Sequence, residues 1–138
     1  MIERILLTVL LIFTLPVAAE NLQITDAWIK NLPMAVPVRA GYMHISNSQN
    51  REVTIVSLQS KSFESIEIHQ SLEVDGMMSM RPVDTLSIPA GASLELAPGG
   101  FHLMMMNPLD ELIPGQIVAV TLYYEDQKMQ LIEMEVRK

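Results

Sequence analysis

The chain has 138 residues, a net charge of −7 and no cysteine. That length fits one domain with one core. The negative charge argues against nucleic acid as a partner. The missing cysteine excludes a disulfide framework, a thiolate metal site, a lipid-acylated N-terminus and a blue-copper electron-transfer centre, which needs a Cys ligand.

Residues 1–19 have the form of an export signal. Arg4 follows the start, Ile5 to Leu15 is apolar except for Thr8, Pro16 ends the run, and Val17-Ala18-Ala19 supplies small residues at the cleavage positions. The expectation is cleavage after Ala19, leaving a domain over 20–138, exported to a Gram-negative-type periplasm. The apolar run is about half of the ~20 residues a span needs, so no membrane span is expected after cleavage.

From there the chain alternates strand and turn signals, with no helical periodicity. Strands are expected over 22–29, 41–46, 52–58 and 65–72, with a proline-rich connection at 31–37. Asp75-Gly76 marks a tight hairpin turn leading into Met77 to Val83. Pro89-Ala90-Gly91 turns the chain between Leu86/Ile88 and Leu94/Leu96, and Pro98-Gly99-Gly100 delivers Phe101 to Met106 as a short strand. Pro114-Gly115 opens a last hairpin, 117–124 and 129–136. Eight or so short strands at this spacing predict an all-β, antiparallel sandwich or barrel.

The stretch from His69 to Met104 carries the chemistry. It holds two of the three histidines and four methionines. In the strand 65–72, Ile66, Ile68 and Leu72 share one face while Glu67, His69 and Ser71 share the other. In 101–106, His102, Met104 and Met106 point one way and Phe101, Leu103 and Met105 the other. Two imidazoles and the thioethers of Met80 and Met104 form a soft, neutral donor set, which selects Cu(I) over zinc, iron or calcium. Affinity should fall as the solution becomes acidic enough to protonate the imidazoles. His44 alternates with Met43 and reads as a structural or surface residue before an auxiliary ligand. Met106 is a candidate to line the pocket, and Met77, Met78 and Met105 read as packing or surface. No nucleophile elbow, phosphate loop or zinc-protease signature is present, so the chain does not read as an enzyme.

These residues resemble the PCuAC-type periplasmic copper chaperones, whose motif is H-x10-M-x21-H-x-M. His69, Met80, His102 and Met104 match it without spacing error. Asp75-Gly76-Met77-Met78-Ser79-Met80-Arg81-Pro82 is similar to the family's D-G-x-M-x-M-R-P segment, and Pro98 to Met104 to its P-G-G-x-H-x-M segment. Ala40-Gly41-Tyr42, Asn47 and Pro114-Gly115 extend the likeness over the chain beyond the signal. The resemblance implies a cupredoxin-like fold and one Cu(I) per chain, held by His69, Met80, His102 and Met104. It also implies delivery of the copper toward cytochrome c oxidase, at the dinuclear site of subunit II, with the carrier expected to be a monomer. Two other readings stay open here: a general periplasmic copper buffer or resistance protein, and an exported β-sandwich interaction module that binds no metal.

Overall fold

The computed structural model describes residues 21–138; the expected signal segment lies outside the described residues. Ten strands follow in order: β1 (Gln23–Lys30), β2 (Val38–Ser46), β3 (Val53–Gln59), β4 (Phe63–Val74), β5 (Met77–Val83), β6 (Leu86–Ile88), β7 (Ser93–Leu96), β8 (Phe101–Pro108), β9 (Ile117–Tyr124) and β10 (Met129–Arg137). No helix among the described residues is long and apolar enough to cross a membrane.

Alternation of apolar and polar residues turns into a closed wall. The order β4-β8-β7-β2-β1-β10-β9-β3 closes on itself because β3 also pairs with β4, through Leu58 and Ile66. β5 hangs on the outer edge of β4, and β6 on β3. The interior takes every second residue of the strands: Val118, Val120 and Leu122 from β9, Ile132, Met134 and Val136 from β10, and Leu103 and Met105 from β8. Met105 is thus core, whereas Met77 and Met78 are exposed.

The ladders are not all antiparallel: β1 runs parallel to β10, and β7 meets β8 in parallel. A parallel pair joins strands distant in sequence, so no hairpin turn signals it.

Three local features set the register of the wall that matters most. Asp75 and Gly76 both take positive φ, 52° and 76°, which is the two-residue turn whose twist suits a hairpin. That turn locks Val74 opposite Met77, and therefore Ser71 opposite Met80 and His69 opposite Pro82. Asn47, 1% exposed, ties the end of β2 to the β6–β7 turn by donating from Nδ2 to Ile88 O at 2.9 Å. Gly41, opposite Leu103, lets β2 and β8 pack closely at the interior. A Cβ there would meet Met105 Sδ at 3.1 Å, Leu103 Cβ at 3.2 Å and Met134 Cε at 3.2 Å.

Two predictions follow from this packing. Gly41→Ala should lower the unfolding free energy by about 1–3 kcal/mol through overpacking, read by urea denaturation; a loss of under ~0.5 kcal/mol, the range of a surface change, would contradict the close approach. Tyr124 is buried at the end of β9, its hydroxyl donating to Gln130 Oε1. Burial, aided by the Asp126 carboxylate and opposed by a contact with the Leu22 backbone, pushes its phenol from 10.0 up to about 12. The unfolded chain therefore ionises first. The stability owed to the neutral phenol is complete below pH 10 and falls away toward pH 12, by about 2–3 kcal/mol. In Tyr124→Phe that extra alkaline loss should vanish from the stability–pH curve; an unchanged slope would place the titration elsewhere.

Candidate metal centre

Three neighbouring strands, β5, β4 and β8, carry the four residues singled out by sequence. On β4 and β8, His69 stands directly opposite His102, and Glu67 opposite Met104. On β5, Met80 stands opposite Ser71. Residues 67, 69 and 71 share one face of β4, and paired residues share a face across a ladder. The register thus puts His69, His102, Met80 and Met104 on one face, opposite to that of Leu103 and Met105. Met80 and Met104 occupy diagonal positions on either side of the histidine pair, within reach of long side chains.

The two rings lie with centroids 6.0 Å apart and planes at 46°. Each has one nitrogen committed and one left over. His69 Nε2–H donates to Glu67 Oε2 at 2.8 Å. His102 Nδ1–H donates to the Gly100 carbonyl at 3.1 Å. A carboxylate and a carbonyl only accept, so these bonds leave the lone pair on His69 Nδ1 and on His102 Nε2. Both of those atoms are buried and have no hydrogen-bond partner. Orphaned buried nitrogens are costly in a folded protein and call for an explanation. An ion bound to one nitrogen of each ring would supply it, since metal–imidazole bonds run at about 2 Å and the ring centroids lie only 6.0 Å apart.

The chain locally builds this arrangement from its turn. Gly99 takes φ 85°, and the Gly100 carbonyl accepts both the Ser71 N–H, at 3.0 Å, and the His102 ring. One carbonyl therefore fastens β8 to β4 and fixes the tautomer of His102. Glu67 does the same for His69. Such outer partners orient a metal ligand and hold its tautomer. Sequence reasoning placed Glu67 on the face of His69 but gave it no role; the i, i+2 spacing on one strand was the available signal.

Burial grades across the site. His102 is 4% exposed, the His69 side chain 15%, Met104 half-buried and Met80 61% exposed. The site is closed on the β8 side and open on the β5 side. Among the described residues, no three His, Asp or Glu side chains form a metal-binding group, so a harder donor set is not assembled. His44 stands exposed on β2 between Thr25 and Glu95 and joins neither imidazole. Met106 shares the ligand face, half-buried opposite Ser65 and Val38. A cavity of 380 Å³ opens beside the site, lined by Ser57, Ile66, Glu67, Ile68, Pro82 and Asp84 among others. It borders Glu67 but holds neither histidine.

The comparisons with known proteins agree with this architecture. The chain matches two curated relatives. One is "Putative lipoprotein Lxx21020" of Leifsonia xyli subsp. xyli, 28% identical over 86% of this chain and 71% of the relative. The other is "Uncharacterized protein RP573" of Rickettsia prowazekii, 26% identical over 77% of this chain and 59% of the relative. Among solved structures, the copper-bound PCuAC domain from PmoF2 superposes with a TM-score of 0.71 at 21% identity, covering 84% of this chain and 92% of that one. The solution structure of CuI-DR1885 from Deinococcus radiodurans superposes with a TM-score of 0.68 at 26% identity, covering 82% and 76%. The fold is therefore the cupredoxin-like barrel of PCuAC domains. The model of the family described as "Putative lipoprotein LpqE-like" matches residues 22–136, although the 138 residues include no cysteine to acylate. This chain belongs to the LpqE-like family.

Proposed function

We propose that the protein is a Cu(I) carrier. It holds one ion through His69 Nδ1, His102 Nε2 and the sulfurs of Met80 and Met104. The observation that carries this reading is the pair of buried, partnerless imidazole nitrogens on rings whose centroids lie 6.0 Å apart, with two thioethers on the same face. The copper-bound states of the PmoF2 domain and of DR1885 support it. All four donors are neutral, so the bound ion keeps its +1 charge and no thiolate traps it. An acceptor offering anionic sulfur can then take it. Copper is cargo here, and the protein performs no catalysis.

The carrier works outside the cytoplasm, in the periplasm. The signal-like residues 1–19 support that placement, as do relatives described as lipoproteins. The acceptor is the dinuclear copper site of cytochrome c oxidase subunit II, which the resemblance to copper chaperones implies. A buffering role, with no dedicated acceptor, would use the same site. Mixing the copper-loaded protein with a purified subunit II copper domain separates the two. Stoichiometric transfer fits delivery, and retention against that domain fits buffering.

The site itself is tested by anaerobic Cu(I) competition against a chromogenic chelator. Wild type should take up one equivalent. His69→Ala and Met104→Ala should each weaken binding by more than about 100-fold, beyond what loss of an outer partner costs. Glu67→Ala should weaken it by about 10–100-fold, because the His69 ring loses its tautomer and orientation. Absence of copper uptake, or binding indifferent to His69→Ala and Met104→Ala, would return the chain to an exported barrel of other purpose.

A further inference from the structure

The ligand face continues past the site. Positions opposite β4 residues 65, 67, 69, 71 and 73 are, in order, Met106, Met104, His102, Met80 and Met78. The first three lie on β8 and the last two on β5. Successive same-face positions are about 7 Å apart along a strand. A diagonal line of sulfur and imidazole donors therefore crosses three strands, with the histidine pair at its middle.

The two ends of that line differ. Met106 lies in the barrel wall, half-buried, with β4 on one side of its strand and β2 on the other. Met78 lies on β5, which pairs with β4 alone, and it is 65% exposed. Its exposure leaves it little packing role. Met77, the neighbour before it, is also exposed but points to the opposite face. The burial gradient of the four site residues runs the same way, from His102 out to Met80.

We infer that copper enters and leaves at the β5 end, with Met78 taking the ion in transit between the site and the partner. This rests on the Cu(I)-carrier reading above. In the outward step a Cu–S bond to Met78 Sδ forms while the bonds to Met104 Sδ and to the two imidazole nitrogens break, leaving the ion on the thioethers of Met80 and Met78. The ion stays Cu(I), and no proton or electron moves because every donor exchanged is neutral. Copper on Met80 and Met78 sits on an exposed hairpin with a free strand edge, where an acceptor's own soft donors can reach it. Met106 serves no such role, since an ion moving that way would pass into the wall.

The test is anaerobic stopped-flow transfer from the Cu(I)-loaded protein to saturating bicinchoninate, with Met78→Leu, Met77→Leu and Met106→Leu compared. Leucine conserves volume and removes the sulfur. Met78→Leu should slow release at least tenfold and slow loading in step, so that its dissociation constant moves far less than either rate. Met77→Leu and Met106→Leu should release copper at the wild-type rate. If wild type loads one Cu(I) and Met78→Leu releases it at the wild-type rate, the transit role is wrong and the carrier reading stands. Slowing by Met106→Leu alone would put the exit on the barrel side. Equal slowing by all three would mean a general effect of the thioethers, and the assignment to Met78 would fail. If wild type takes up no Cu(I), the carrier reading and the transit role fall together.

Discussion

The pairing of His69 with His102 across β4 and β8 is the constraint on which the rest depends. It places two imidazoles side by side, tilted at 46°, in a wall where their inner nitrogens are buried without a protein partner. A folded chain accepts two such orphans at a cost of about 1–3 kcal/mol each. The polar groups around them do not relieve that cost. Glu67 and the Gly100 carbonyl each take the other nitrogen of a ring, which fixes the lone pairs where a cation can use them. The barrel thus leaves the two nitrogens available, and on the carrier reading ion binding would satisfy them.

The choice of turn does as much as the choice of ligand. Met80 reaches the histidine pair only if β5 pairs with β4 in one register, and a slip of one residue would send it to the opposite face. The Asp75-Gly76 turn, with both residues at positive φ, is what excludes that slip. On the other side, the Gly100 carbonyl bonds Ser71 and His102 together, so the P-G-G turn aligns β8 and orients its imidazole in one stroke. The candidate ligands at i and i+2 on β8 then need no further device, because the strand period delivers both to one face.

Much of this was legible in the residues, for identifiable reasons. The last hairpin, 117–124 and 129–136, was readable because a half-buried strand must alternate apolar and polar residues. The Asp-Gly turn and its arm, 77–83, were readable because local φ requirements write themselves into glycine and aspartate. What could not be read were relations between distant segments. The parallel contact of β1 with β10 joins two ends of the chain and has no turn to announce it. The burial of His102 was hidden for the same reason. Alternation puts it opposite Leu103, on the outward side, and only the packing of other segments makes it 4% exposed. Glu67 was visible by parity but had no chemical role until the tautomer of His69 gave it one.

The graded burial ties the fold to transport. A carrier with all its ligands deep in the wall would hold copper but release it slowly, since every bond would break away from a partner's reach. A carrier with all its ligands exposed would lose the low-dielectric setting and fixed tautomers that organise the imidazoles. Here the histidines sit within the barrel wall, where β4 is paired on both edges, while Met80 sits on a hairpin paired on one. On the carrier reading, the rigid half would determine which ion is held, and the half on the open edge how it is exchanged. Thioethers suit that edge, because they carry no charge that solvent would compete for and no proton that acid would restore. The division follows from topology: β5 is the one strand of the site outside the closed ring, and the most exposed of the four site residues stands on it.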